Sequence, residues 1–392
     1  MCAHLDTSTL SSLPFYAADN KVTVVNNRGM ECLSKLKDVD DDETRKHVAA
    51  CIRYLARSGA LTVHSVSRCL SSPTHASEHC LALSAAVDSN PSPVPDDNHY
   101  NMIHRGDACA ILKKMVQKGQ DDVQTMQHCA AAYRYLSRND GNEARMGEEW
   151  ALNMLITVLK IEGADGPDGE TQRHAAGALR NLSVDENNKK TIMNPSEGGL
   201  QQLFNVCEIT KDPETKRHIA ATLRNLSIDD TNESTIAETA VEERTGLKII
   251  IDLSVKEEDA ETKRHAAASL RNLSFDPKHK EAIMEQCDSI QDILDLCGST
   301  DLETQRHAAG LVRNLSFDEK NQQQMVAKGE LMSLLMLSRS SDAETQQHAQ
   351  CALSADALTR GAALPVGAGE ERARRPDREH AHSEPYGRGH HH

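Results

Sequence analysis

Four asparagines recur at one place in a repeated sequence, directly after an arginine and before Leu-Ser. A carboxamide carries both a hydrogen-bond donor and an acceptor, which match the C=O and N–H groups of a peptide unit. A regular row of such side chains predicts recognition of the main chain of an extended polypeptide. The pattern also fits side chains that bridge neighbouring repeats or cap local backbone, so both interpretations stay open at this point. The four residues are Asn181, Asn225, Asn272 and Asn314.

Two rows of arginines accompany these asparagines, one directly before each Asn and one seven residues earlier still. Residues seven apart on a helix fall on nearly one face, so the rows form a basic stripe on an acidic protein. Guanidinium groups make strong hydrogen bonds to carboxylates and phosphates, which predicts an acidic or phosphorylated ligand. The alternative is a solvated face with local salt bridges to the Glu of the same phrase. The arginines are Arg173, Arg217, Arg264 and Arg306, and Arg180, Arg224, Arg271 and Arg313.

Signatures of catalysis and of cofactor binding are absent from the sequence. It contains no phosphate-binding loop, no dinucleotide-binding glycine motif, no nucleophile elbow and no zinc-protease motif. Its 11 cysteines stand singly, without a C-x-x-C pair, so neither a zinc site nor a disulfide framework is indicated. We therefore predict a protein that is not an enzyme and that holds neither a cofactor nor a metal.

Charge and hydropathy narrow the classes of partner. The 59 acidic and 44 basic residues give a formal net charge of −15, which argues against a protein that binds nucleic acid over its whole surface. No apolar run approaches the length of a membrane span, and the first residues lack the pattern of a secretory signal. We expect protein partners, no nucleic acid, no membrane span, and a cytoplasmic location with the nucleus as an alternative.

The elements that position the asparagines are encoded in a repeated phrase. Near-identical copies begin at residues 170, 214, 261 and 303, weaker copies begin at 43, 123 and 344, and a degenerate copy surrounds His79. Successive copies are 32 to 49 residues apart, and a period in the forties is typical of helical solenoid units of two or three helices. A histidine marks every copy: His47, His79, His128, His174, His218, His265, His307 and His348.

Each phrase is predicted to form one helix with a defined start. An Asp stands six residues before the histidine in most copies, where its carboxylate can cap the first free N–H groups. In the copy of residues 261–276, Ala266, Leu270 and Leu273 form an apolar stripe at helical spacing. The phrase ends in an apolar residue and a second Asp, such as Asp276, that is expected to cap the next helix. A short helix and a more apolar one follow, which makes three helices per unit.

Composition and repeat quality divide the sequence into four parts. Residues 1–19 form an N-terminal segment, and residues 20–140 hold about three degenerate repeats. Residues 141–360 hold about five well-formed repeats, of which the last is a cap. Residues 361–392 are rich in Gly, Arg and His, which predicts a disordered tail. An acidic insertion at 238–245 is expected to lie in a loop.

The unit of about 42 residues, with its A-x-x-x-L-x-N-L-S and D-x-x-N sequences, resembles the armadillo repeat over roughly residues 20–360. The HEAT repeat is the near neighbour. The resemblance implies an all-α, right-handed α-solenoid of about eight three-helix repeats, a superhelix similar to those of beta-catenin and importin alpha. In those proteins third helices line a concave groove and an Asn binds the main chain of an extended peptide, a role that passes to the four asparagines.

The resemblance implies a non-enzymatic scaffold or adaptor that binds an extended acidic or phosphorylated segment, since beta-catenin combines its asparagines with basic residues. A nuclear-import-type adaptor is the alternative. It is disfavoured because importin alpha carries a Trp one turn before the Asn, whereas small residues stand at that place in this sequence. A small-GTPase regulator is a further alternative. The small residues are Gly177, Ala221, Ala268 and Gly310.

The N-terminal repeats depart from this pattern. Tyr54 and Tyr135 take the place of the Asn, where they either extend the groove with amphipathic contacts or simply pack. The row of histidines is expected to be structural, with a pH-sensitive contact as the alternative.

Overall fold

The computed structural model shows a succession of short helices that divides into two compact units, Met1–Thr215 and Lys216–His392. The predicted terminal segments, the copy around His79 and the side chain of Tyr54 fall outside the part of the protein that the structure describes. Those residues, apart from a few single positions, are 42–58, 96–119, 122–160, 169–194, 198–327 and 330–359.

In the first unit the described helices follow one another from α1 to the start of α10. They are α1 (Asp42–Ser58), α2 (Asp96–His104), α3 (Ala108–Lys118), α4 (Val123–Leu136), α5 (Glu143–Met146), α6 (Glu149–Leu159), α7 (Glu170–Leu182), α8 (Glu186–Ile192), α9 (Gly199–Ile209) and α10 (Pro213–Leu226), within which the division between the units falls.

The second unit continues with the same alternation of short and long helices. Its elements after α10 are α11 (Glu233–Glu238), β1 (Ala240–Val241), β2 (Arg244–Thr245), α12 (Gly246–Val255), α13 (Ala260–Leu273), α14 (Pro277–Gln286), α15 (Ile290–Leu296), α16 (Leu302–Leu315), α17 (Glu319–Ala327), α18 (Glu330–Leu337) and α19 (Ala343–Thr359).

The repeated phrase forms one helix in each described copy, and we call this the third helix of its repeat. The third helices are α1, α4, α7, α10, α13, α16 and α19. The predicted aspartate caps are confirmed where they are described, because each carboxylate accepts a hydrogen bond from the N–H of the Thr three residues later, as in Asp259 with Thr262 at 2.9 Å. The other capping pairs are Asp122–Thr125, Asp212–Thr215, Asp301–Thr304 and Asp342–Thr345.

The predicted cap of the helix that follows each phrase is also present. Asp276 accepts a hydrogen bond from the N–H of Lys278 at 2.8 Å and starts α14, and Asp185 starts α8 in the same way. Each of these bonds spans only two or three residues, so the helix ends follow from local sequence alone.

Third helices of consecutive repeats pack side by side within each unit. In the first unit α1 packs directly on α4 and α4 on α7, and in the second α13 packs on α16 and α16 on α19. The core beneath them is aliphatic, as the low aromatic content requires, and includes the predicted Ala266, Leu270 and Leu273.

The acidic insertion at 238–245 differs from the loop that the sequence predicts. Two short antiparallel strands pair Ala240 with Thr245 and Val241 with Arg244. Glu242, at the tip of this hairpin, has a φ of 53°, in the left-handed region. The hairpin leads into α12, whose first N–H groups are capped by the hydroxyl of Thr245.

Candidate functional site

The asparagine row is held in place by the repeat before it. The amide Nδ2 of Asn272 donates a hydrogen bond to the Oγ of Ser227 at 3.1 Å, and this hydroxyl in turn donates to the backbone carbonyl of Arg224. The same arrangement places Asn181 on Ser137 at 3.0 Å and Asn314 on Ser274 at 2.9 Å. The bridge between neighbouring repeats that the sequence allowed is therefore present at these three positions.

The bridge uses only the donor side of each carboxamide. For Asn181 and Asn272, the Oδ1 atoms make no hydrogen bond with any residue that the structure describes, and both side chains are half-buried. Asn314 is buried, and Asn225 lies half-buried at the equivalent place in α10. Recognition of a peptide backbone by this row stays a prediction, with an oriented acceptor at two of its members.

The arginine row nearer the start of each third helix contacts the next repeat. Arg173 donates two hydrogen bonds of 2.9 and 3.0 Å to the carboxylate of the capping Asp212. Arg217 likewise donates two, of 3.1 and 2.7 Å, to Asp259. Arg306 reaches Asp342 in the same way, at 2.8 and 3.4 Å. One carboxylate thus caps a helix and binds the guanidinium of the preceding repeat.

Arg264 departs from this row. Its Nε lies 3.9 Å from the carboxylate of Asp301, too far for a hydrogen bond, and its Nη2 lies 3.4 Å from Glu261 of its own helix. The buried Nε makes no hydrogen bond with any described residue. This contact with Glu261 is a local salt bridge of the kind that the sequence allowed as an alternative, and Arg306 makes another with Glu303 at 2.8 Å. The contacts with the capping aspartates are between repeats.

The hydrogen bonds from arginine lower the pKa values of the capping aspartates that accept them. Burial alone would raise the pKa of Asp259, but hydrogen bonds from Arg217 and Thr262 outweigh it and lower the pKa to about 2. Likewise the hydrogen bond from Arg306 lowers the pKa of Asp342. These carboxylates stay ionised under all ordinary conditions, which keeps both the cap and the ion pair formed.

The second arginine row, near the end of each third helix, reaches the histidines. Arg313 donates from Nη1 to the Nδ1 of His348 at 3.0 Å, and Arg134, the equivalent residue of α4, donates to the Nδ1 of His174 at 3.3 Å. The Nη2 of Arg271 lies 3.3 Å from the carboxylate of Glu344 and 3.4 Å from the Nε2 of His348. Arg180 and Arg224 are half-buried at the ends of α7 and α10. Binding of a ligand by either arginine row stays a prediction.

Burial keeps two histidines of the phrase, His174 and His307, neutral. Because the Nδ1 of His174 accepts from Arg134, its proton must be on Nε2, which lies 3.0 Å from the Glu170 carboxylate and donates to it. Burial lowers the pKa of His174 to about 4, and burial also lowers the pKa of His307 well below its usual value. The expectation that the row is structural therefore fits both residues, since neither changes its protonation between pH 5 and 8.

Comparison with known proteins rests on structure, since neither a family model nor a curated protein matches the sequence. UNC-45 from Drosophila melanogaster is similar with a TM-score of 0.62 and 13% identity, over 92% of this chain and 42% of that one. A computationally designed armadillo repeat protein for modular peptide recognition gives a TM-score of 0.53 at 19% identity, over 62% of this chain and 99% of that one. The fold is an armadillo-type α-solenoid.

A second designed armadillo repeat protein, solved in complex with the peptide (KR)4, gives a TM-score of 0.52 at 17% identity, over 62% of this chain and 99% of that one. Identities of this size show the fold alone. The all-α, armadillo-type architecture expected from the sequence is thereby confirmed.

One armadillo repeat shows why a small residue stands where import-type repeats carry a Trp. A Cβ atom added at Gly310 would meet the Nε of Arg271 at 2.6 Å and its Cδ at 2.9 Å. The side chain of Arg271 therefore crosses α16 at this point on its way to Glu344. An indole cannot occupy the same space, so this repeat offers no Trp pocket for a lysine side chain.

The tyrosines differ in what the structure describes of them. Tyr135 is only 9% exposed, and its ring centre lies 5.9 Å from that of His174 and 5.0 Å from the guanidinium carbon of Arg138. These contacts fit the interpretation that Tyr135 packs against its neighbours. That Tyr135 extends the groove stays a prediction. Tyr54 lies in α1, with a side chain outside the described part.

The helices of the described segments also bear on membrane insertion. None of them combines the length and the hydropathy that crossing a bilayer requires.

Proposed function

We propose that this armadillo-type protein is a non-enzymatic interaction scaffold whose third helices bind an extended protein segment through the asparagine row. The proposal rests on the carboxamides of Asn181 and Asn272, which use only their amide donors for hydrogen bonds within the described protein. Serine from the preceding repeat fixes the amide of Asn181 in the first unit and of Asn272 in the second, and leaves their Oδ1 acceptors to bind the N–H of a ligand.

An extended ligand fits the spacing of the row. Packed helices lie about 8 to 10 Å apart, and an extended strand advances about 3.3 Å per residue. One asparagine therefore meets about every third residue of a bound segment, which explains why recognition of the backbone rather than of a particular side chain suits a repeating surface.

An acidic or phosphorylated segment is the ligand class that we propose. Arg264 supports it most directly, because its guanidinium contacts Glu261 of its own helix at 3.4 Å but makes no hydrogen bond to the next capping aspartate. Arg264 belongs to the same third helix as Asn272, α13. A carboxylate or phosphate of a ligand would supply the acceptor that Asp301 does not provide.

Binding of labelled acidic, phosphorylated, neutral and basic peptides to the full-length protein, followed by fluorescence anisotropy, tests this function. Asn272→Ala is expected to weaken binding of acidic peptides about tenfold, the effect of one hydrogen bond worth about 1.4 kcal/mol. Ser227→Ala is the matched control, since it removes the same bridge but keeps the carboxamide. Equal losses in both variants would make the asparagine purely structural.

The charge preference separates this proposal from the import-type alternative. The similar designed armadillo repeat protein was solved with the basic peptide (KR)4, so the fold is compatible with a basic ligand in that protein. Preference of this protein for basic peptides would contradict an acidic ligand and support an import-type adaptor. A nucleotide-exchange assay with small GTPases addresses the remaining alternative, regulation of a GTPase.

A further inference from the structure

Three side chains with metal-binding atoms, none of them in the asparagine or arginine rows, meet in the second unit. A carboxylate oxygen of Glu233, one of Asp276 and a ring nitrogen of His279 all lie within 4.8 Å of one another. Glu233 is 5% exposed and His279 is 4% exposed, while Asp276 is half-buried. Glu233 begins α11, and the other two start α14, so the cluster joins two consecutive repeats.

The position of His279 shows which of its nitrogens is available. In other repeats an Asn at this place donates its amide to the C=O of the Leu six residues earlier, as Asn142 and Asn232 do at 2.8 and 3.0 Å. His279 makes the equivalent contact through Nδ1, 3.3 Å from the C=O of Leu273. A carbonyl accepts, so Nδ1 carries the proton and Nε2 keeps its lone pair.

This arrangement is the one that orients metal-bound histidines, in which the second ring N–H donates to a carbonyl or carboxylate. The Nε2 of His279 makes no hydrogen bond with any residue in the described part of the protein. A nine-tenths buried imidazole thus lies beside two carboxylates, and one of its ring nitrogens has no hydrogen-bond partner among the described residues.

We propose that Glu233, Asp276 and His279 form a Zn²⁺ site that links two consecutive repeats of the second unit. Zinc accepts imidazole nitrogen and carboxylate oxygen together, with water in a fourth position, whereas Mg²⁺ and Ca²⁺ prefer ligand sets made only of oxygen. Donor atoms around a tetrahedral zinc lie about 3.4 Å apart, so small side-chain rotations of about 1 Å close the site.

The first unit has the equivalent three positions, but an asparagine stands there in place of the histidine. Glu143, Asp185 and Asn188 occupy the places of Glu233, Asp276 and His279 in their repeats. Asn188 donates its amide both to the C=O of Leu182 at 3.0 Å and to the C=O of Glu143 at 3.1 Å. An amide nitrogen has no lone pair for a metal, so these positions lack the one nitrogen ligand and serve as an internal control.

Zinc binding to the full-length protein is measured by competition with a chromophoric chelator and by the shift in Tm on adding Zn²⁺. His279→Asn is the main variant, because asparagine is the residue at this place in other repeats and keeps the bond to Leu273. We expect this variant to lose one zinc equivalent and the rise in Tm, and Glu233→Gln to weaken binding at least about tenfold. Glu143→Gln, the matched control, is expected to behave as the unchanged protein.

The sequence ends in three histidines, His390 to His392, which bind zinc by themselves. Zinc held only there would give the same uptake in the unchanged protein and in His279→Asn, with the same Tm shift or none. That result would overturn the proposal. Circular dichroism of each variant without metal checks that the helices are retained.

Discussion

Two neighbouring junctions of the second unit have the same residues but different contacts. At one, Arg217 forms a bidentate pair with Asp259, with the shorter bond at 2.7 Å. At the next, Arg264 and Asp301 occupy the same places in their repeats, yet the Nε of Arg264 stays 3.9 Å from the carboxylate. We call the first junction closed, because its arginine and aspartate form two hydrogen bonds between repeats. We call the second junction open, because its guanidinium makes no hydrogen bond to the aspartate. An identical motif therefore does not guarantee an identical contact.

The difference between the junctions should appear most strongly when the carboxylate is removed. Asp259→Ala deletes a helix cap and leaves Arg217 without its bidentate partner, so we expect a loss of about 2 to 3 kcal/mol in the free energy of unfolding. Asp301→Ala deletes a cap but only a loose ion pair, and we expect a loss of about 1 kcal/mol. Urea unfolding of both variants measures the two values. Equal losses would remove the distinction between a closed and an open junction.

Removing the arginine instead of the aspartate should lower the free energy of unfolding by a smaller amount, again with the larger loss at the closed junction. We expect Arg217→Ala to lower the free energy of unfolding by about 1 to 2 kcal/mol, because the partly buried Asp259 then loses two charge-assisted bonds. Arg264→Ala should cost under about 0.5 kcal/mol, as exposed or poorly aligned ion pairs do. Binding of acidic peptides should respond in the opposite order, with the larger loss in Arg264→Ala. A larger loss in Arg217→Ala would place the ligand contact at the closed junction.

Acid titration sharpens the comparison further. The pKa of Asp259 in the folded protein, about 2, lies below its ordinary value of 3.8. Its contribution to stability is therefore complete above about pH 4 and is lost as the pH falls toward 2. The stability difference between the unchanged protein and Arg217→Ala should shrink over this window and stay constant between pH 5 and 8. Urea unfolding at a series of pH values follows it. A difference that persists at pH 2 would mean that Arg217 acts by packing.

The smallest effect is expected from changing the shape of the cation while keeping its charge. Arg217→Lys loses the planar two-point contact with Asp259 and should cost about 0.5 to 1 kcal/mol. Arg264→Lys has no two-point contact to lose, so its unfolding free energy should stay within about 0.3 kcal/mol of the unchanged protein. Thermal and urea unfolding of the two variants and the unchanged protein, measured side by side, resolve differences of this size. Equal costs would show that geometry does not distinguish the junctions.

Much of the helical framework was predictable because its signals are local. Asp259 caps α13 and Asp276 caps α14 through bonds to N–H groups two or three residues away. The apolar stripe of Ala266, Leu270 and Leu273 likewise follows from helical periodicity. The armadillo-type fold was recognisable from the same phrase, since a repeat that buries one helix face must stack on its neighbours.

The candidate site was predictable in position but not in its contacts. The sequence placed Asn272 in a row and foresaw that it could bridge repeats, but Ser227 as its partner was not identified. The signal existed, because a Ser follows each Asn-Leu pair in the same phrase. The arginines were predicted to bind a ligand, with local salt bridges as the alternative, and the structure shows Arg217 bound to an aspartate 42 residues later in the next repeat. The signal that was not used is the fixed place of this Arg in the four near-identical copies and of the capping Asp in the copy that follows each.

The sequence by itself determined where the helices start, which faces are apolar and which side chains recur, because these depend on neighbours within a turn or two. Only the tertiary structure decided that Arg217 closes its junction while Arg264 does not. It also brought Glu233 to His279, although 46 residues separate them. Contacts between repeats depend on how far one helix shifts against the next, and a displacement of about 1 Å separates a hydrogen bond from a loose ion pair. Local propensity does not set that distance, since it follows from the packing of the side chains between the helices.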